Sequence, residues 1–192
     1  MPPRKEKPMA YYEFTNSYHG GVPGWQLINS DRLQVGKIGT SLNNWEPWPD
    51  GHLVLPRDIV RWSHFFLISK VVKDVIETVA PGSCAFVRCE TVTSTGEPAR
   101  ETWLCSATTV FLGAVVREES KGLEWRVGPT GKPCFTPRRT DHMDVKLHHE
   151  IIGSAHLFRL AENPPNFFCD DVFKDTCKKA GIKGARFLPF GH

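Results

Sequence analysis

The sequence predicts an α+β protein in which mixed or antiparallel sheets pack with two short amphipathic helices. Two observations carry this. First, two segments place apolar residues at helical spacing just after a residue able to cap a helix. Ser69 precedes Val72, Val75, Ile76 and Val79, and Asp170 precedes Phe173, Thr176, Cys177 and Ala180. Second, each segment lies between short runs of apolar and β-branched residues punctuated by glycine or proline. The 192 residues are 40% hydrophobic and 23% charged, which suits one core or two small, intimately packed lobes. A single domain is expected over 10–192, after a flexible N-terminus at 1–9.

Taken in order, residues 10–14 alternate apolar and mixed side chains and read as a first strand. Residues 20–51 gather glycine, proline and Trp25, Trp45 and Trp48, so loops with short strands, such as 32–37, are expected there. These tryptophans make either a satellite core or an exposed contact surface. Residues 65–68 form a strand, and the first helix follows until Pro81-Gly82 stops it. A strand at 84–92 comes next, then a turn at Gly96-Glu97-Pro98, then one long strand over 102–116 or a pair broken near Gly113. Residues 120–131 read as turn-rich, 133–144 as mostly loop and 151–160 as strand. The last forty residues form a strand, turn, strand, helix and strand unit, with Gly181 ending the helix.

An offset of 101 residues lays the first helical unit on the second. It aligns Phe66 with Phe167, Val71 with Val172, Lys73 with Lys174, Asp74 with Asp175 and Phe86 with Phe187, while Ser69 falls on Asp170. The shared order of strand, capped helix, glycine and strand predicts a structural pseudo-repeat.

Several functions find little support. Net charge is only +3 and the basic residues are scattered, so no nucleic-acid partner is expected; Lys178 and Lys179 suit the end of a helix. No apolar run approaches a membrane span. With no secretory signal, the six cysteines are expected to be reduced core thiols in a cytoplasmic protein. Ser154 lacks a nucleophile elbow, and Gly20 to Gly24 lack the Lys-Ser/Thr of a phosphate loop. We therefore expect no catalytic residue, no cofactor and no metal. The alternative is a metal-dependent hydrolase or nuclease built on the His142 to Glu150 cluster, which includes His148 and His149.

The pattern His156-Leu157-Phe158-Arg159-Leu160, a short proline-containing turn, an apolar strand ending in Asp170-Asp171, Phe173-Lys174 in a helix, and Gly181-Ile182-Lys183-Gly184-Ala185-Arg186-Phe187 resembles immunity protein family eleven of bacterial polymorphic toxin systems. The resemblance is most specific over 155–187, and the order of elements over 65–120 is compatible. One departure is Val115-Val116-Arg117-Glu118-Glu119-Ser120, where an acidic residue is expected ahead of the Arg-Glu-x-Ser stretch. The resemblance implies a small cytoplasmic protein that binds a cognate toxin domain, nuclease toxins included, and protects the producer and its kin without catalysis. Two patches suit such a contact. One is Trp45, Trp48 and Asp50. The other is acidic, made of Glu118, Glu119, Asp170 and Asp171, and would face a basic toxin. Oligomeric state is left open.

Overall fold

The computed structural model describes residues 9–16, 25–27, 58–62, 65–89, 91–93, 101–128, 131–138 and 144–192. In chain order their elements are β1 (Tyr11–Asn16), β2 (Trp25–Leu27), β3 (Ile59–Trp62), β4 (Phe65–Ser69), α1 (Lys70–Val79), β5 (Cys84–Cys89), β6 (Thr91–Thr93), β7 (Thr102–Ala107), β8 (Val110–Phe111), β9 (Leu123–Val127), β10 (Pro133–Pro137), α2 (His149–Ile152), β11 (Leu157–Leu160), β12 (Asn163–Asp170), α3 (Asp171–Lys179) and β13 (Ala185–Gly191). One sheet runs β13-β1-β12-β11-β8 and a second runs β3-β4-β7-β5; β9 pairs with β10 and β2 with β6. The strands pair antiparallel except β8, which lies parallel to β11. This is the α+β class that the spacing predicts.

The pseudo-repeat is a repeat of topology. In each half a hairpin, β3–β4 or β11–β12, leads into a helix and then into a further strand. That strand does not pair with the hairpin. One antiparallel strand stands between, β7 in the first half and β1 in the second. The 101-residue offset holds even in the register. Cys105 stands opposite both Phe66 and Phe86, and Phe14 opposite both Phe167 and Phe187. Trp103 and Tyr12 take matching places, opposite Ile68 and Cys169. Over each lies the equivalent lysine: Lys73 Nζ is 5.9 Å from the Trp103 ring centre and Lys174 Nζ 3.6 Å from that of Tyr12. Phe66 and Phe167 meet edge to face with ring centres 4.7 Å apart. A side chain meets its own equivalent only near the axis relating two halves, so that axis passes between these rings.

Burial follows from this arrangement. Phe14, Phe66, Ile68, Val72, Ile76, Cys105, Phe167, Phe173 and Cys177 form one core shared by both sheets, α1 and α3. The other face of the larger sheet carries Tyr11, Phe158, Phe168 and Phe190 into a second core, which Val115, Phe135, Val145, Leu147 and Ile152 close. The sheet is thus apolar on both faces. That explains why β12 ends in four consecutive buried residues rather than an alternation.

Several expectations need correction. Residues 123–127 and 133–137 are the hairpin β9–β10 rather than turn and loop. Leu123 and Trp125 alternate with the exposed Glu124 and Arg126 and pack on the second core, a period of two that the flanking glycines and prolines obscure. Pro133 and Pro137 are tolerated because they stand at the strand's two ends. The prolines at 164–165 lie inside β12, and the turn before it is Ala161-Glu162. Residues 151–160 begin with the end of α2, and 84–92 divides into β5 and β6. The 102–116 stretch breaks first at Thr108-Thr109, whose N–H groups turn to Ser83 O. Ser69 sits at the N-cap of α1 but makes no capping bond, and its buried Oγ has no partner. Residues 32–37 and the turn at 96–98 fall outside the described residues.

Candidate functional site

The four acids of the predicted patch fall into two kinds. Asp170 ends β12 with 1% of its surface exposed. Its Oδ1 accepts the Phe173 N–H at 3.0 Å, the bond of a helix N-cap, and its Oδ2 lies 2.7 Å from His156 Nδ1. Both oxygens are committed inward. Asp171 is half-buried in the first turn of α3, where its carboxylate accepts from the Tyr12 hydroxyl at 2.9 Å and from the Lys174 ammonium. Burial opposes its ionisation, but the bonds from Lys174 and Tyr12, together with the Lys174 charge and a backbone bond from Ala10, outweigh burial and hold the carboxyl below its usual range.

Glu118 and Glu119 are exposed. Their turn is pinned from below. The Ser120 N–H and hydroxyl both donate to Val116 O, at 3.0 and 2.7 Å, and Ser120 Oγ accepts the Lys146 N–H at 3.0 Å. The Arg117 guanidinium lies 4.9 Å from the Trp125 ring centre, which anchors the start of the turn and leaves the two carboxylates facing solvent.

One end of the larger sheet brings these groups into a row. Asp170 pairs with Tyr11, Tyr11 with Gly191, Gly191 with Val145, and the Lys146 carbonyl accepts the Val116 N–H. At roughly 5 Å per lateral step, the two acidic groups lie on the order of 20 Å apart along that end. Gly191 makes the row possible, because a Cβ there would stand 2.5 Å from Val145 O. The structure therefore brings Asp170 and Asp171 together, and Glu118 and Glu119 together, but joins the pairs only through the segment at 144–147. Trp45, Trp48 and Asp50 lie outside the described residues, as do Asp141 and His142.

The histidine cluster does not assemble as a helical face. Residues 144–148 are extended, bridging Val115 through Leu147 and Lys121 through Asp144, and helix begins only at His149. His148 Nδ1 lies 2.8 Å from Glu150 Oε1, whereas His149 Nδ1 turns to the Tyr11 hydroxyl at 3.2 Å. Burial, and then the Asp170 charge, push the Tyr11 phenol above its usual range. Among the described residues no group of three His, Cys, Asp or Glu side chains could hold a metal ion, and no helix is long and apolar enough to cross a membrane. The six cysteines are free.

Exposed aliphatics were not evident from the sequence. Val110 on the rim strand β8 is 52% exposed and Leu112 just beyond it 68%, while Phe111 between them packs on the second core. Val110, Phe111 and Leu112 are all apolar, so the sequence holds no signal for which of them faces inward. Gly113 at φ +71° ends this rim, and its N–H donates to the buried Glu162 carboxylate at 2.6 Å.

The model of the Immunity protein family (Imm11) matches residues 46–192, most of the chain. No curated protein matches it.

Proposed function

The chain belongs to the Immunity protein family (Imm11), and on that premise we propose that it neutralises a cognate bacterial toxin by direct stoichiometric binding. It acts in the cytoplasm of the producing cell and its kin, and it works without catalysis. The family match carries this reading. The pinned turn with Glu118 and Glu119 supports it, because paired carboxylates held at the surface suit the basic face of a toxin that attacks nucleic acid. Asp170 and Asp171 serve the scaffold at the start of α3. Trp45, Trp48 and Asp50 are the aromatic alternative for the contact. Residues 10–192 act as one domain, a reading supported by a first core that runs from Phe14 to Cys177.

The test is co-expression with the toxin domain encoded beside this gene, together with titration calorimetry on the purified pair. Rescue of growth with one-to-one binding, weakened about tenfold or more by Glu118→Lys with Glu119→Lys, is expected. Absence of both rescue and binding sinks the proposal. Retained binding by the doubly substituted protein moves the contact to Trp45 and Trp48, to be tested as Trp45→Ala and Trp48→Ala.

A further inference from the structure

Among the described residues the edge strand β5 pairs with β7 alone. The Thr108 N–H donates to Ser83 O, and the ladder continues in that register, with Ala85, Val87 and Cys89 opposite Ser106, Leu104 and Thr102. Antiparallel pairing alternates, so the main-chain groups of Ser83, Ala85, Val87 and Cys89 turn toward β7. Those of Cys84, Phe86 and Arg88 turn outward, and they meet no main-chain partner among the described residues. Alongside them Ala85 and Val87 are exposed, Val87 at 42%.

This edge lacks most of the usual protections. It is six residues long, contains no proline and keeps an unbroken register. Its one charge, Arg88, is partnered by Glu101 at 3.3 Å. The rim of the other sheet, β8, has only two residues, a length that blunts pairing. The equivalent strand of the other half shows what such an edge accepts. The end of β13 takes the 145–147 segment alongside it, through the Leu147 N–H to His192 O and the His192 N–H to Val145 O, each at 3.1 Å.

We infer that the toxin binds in part by strand addition, laying an extended segment along β5 so that its main chain bonds the outward groups of Cys84, Phe86 and Arg88. The inference rests on the immunity reading. The segment carries small or apolar side chains over Ala85 and Val87 and leaves the Arg88–Glu101 pair at its rim. A second copy of this chain is the weaker occupant. Two six-residue strands edge to edge, each about 20 Å long, hide far less than the roughly 1,200 Å² of a stable complex. A toxin that also meets other surfaces supplies the remainder.

Hydrogen exchange on this protein, free and with the toxin domain encoded beside its gene, reads the contact directly. The amides of Cys84, Phe86 and Arg88 are expected to slow at least about tenfold in the complex. Arg88→Pro removes an N–H that faces away from β7, so the ladder survives, and affinity is expected to fall about tenfold. Binding without slowing of these three amides overturns strand addition and leaves the immunity function standing. Failure to bind at all overturns the immunity function and the inference with it. Slowing at these amides in a concentrated sample without toxin assigns the edge to a second copy and also overturns the inference.

Discussion

Substitution of Asp170 separates a scaffold acid from a contact acid. The carboxylate makes two inward interactions, the cap bond from the Phe173 N–H and the bond with His156. Loss of an N-cap costs about 1 kcal/mol, within a range of about 0.5–2. His156 keeps 31% of its side chain in solvent, so its bond is discounted to about 1 kcal/mol. Asp170→Ala should therefore lower stability by about 2 kcal/mol. At roughly 2–4 °C per kcal/mol for a chain of this size, the melting temperature falls by about 4–8 °C. Asp170→Asn keeps the cap, since asparagine caps about as well as aspartate, and should cost only about 1 kcal/mol. Urea titration followed by circular dichroism at pH 7 measures both. A change under about 0.5 kcal/mol for Asp170→Ala, or equal losses for the two variants, refutes the capping argument. Asp170→Asn with native stability and lost toxin affinity would return this residue to the interface.

Phe66→Ala and Phe167→Ala should each cost about 3–5 kcal/mol, and because the rings touch the double variant should fall short of the sum by about 0.5 kcal/mol or more; strict additivity in urea titrations would place the pseudo-axis elsewhere. Alkaline pH should destabilise the protein. Burial pushes the Cys177 thiol from 9.0 up to about 12 and also raises Cys169, while the hydrogen bond with Cys84, and then burial, raise Cys105. The unfolded thiols then ionise near pH 9 while the folded ones hold their protons, so stability falls as pH rises from 9 toward 12. Cys177 alone accounts for up to about 4 kcal/mol over that window. A urea midpoint unchanged between pH 7.5 and 10.5, or a slope that Cys177→Ala fails to reduce, contradicts this.

The parts legible in the sequence were those specified within a few residues. Val72, Val75 and Ile76 mark one face of α1 by spacing alone, and all three are buried. Asp170 before Phe173 marks the start of α3, and Gly181 at φ +67° marks its end. The offset that aligns Phe66 with Phe167 was visible as identities, yet its meaning lies in Cys105 and Phe14, which no offset aligns. What stayed hidden depends on pairing and packing that no single residue announces. The strand β9 carries Val127 at 75% exposure, so burial does not drive its whole length, and its pairing with β10 is what makes it a strand. The acidic patch failed to read as one surface for a similar reason. Aspartate after an apolar strand and before a helix serves as a cap or as a contact, and only the Phe173 N–H and His156 at its two oxygens separate the roles.

The placing of β1 carries this furthest. The first half takes its interposed strand β7 from downstream of β5, with only β6 between, whereas the second half takes β1 from more than 140 residues upstream of β12. Residues 46–192 hold the family match, so β1 lies outside it. Yet Phe14 meets Phe66, Phe173 and Phe187 within 5.5 Å between ring centres, and among the described residues β1 alone joins β12 to β13. The matched region therefore contains every residue of one half and an incomplete sheet for the other. A boundary drawn from sequence similarity follows where residues repeat among relatives, and a boundary drawn from hydrogen bonds follows where the ladder closes. In this chain the two differ by two strands, β2, which pairs with β6, and in the larger sheet β1. That strand carries Tyr12 under Lys174 and Tyr11 against His149, which ties the N-terminus to both ends of the surface where Asp171 and the 144–150 segment lie. A substitution in β1 thus reaches the acidic end of the sheet without touching the matched residues 46–192.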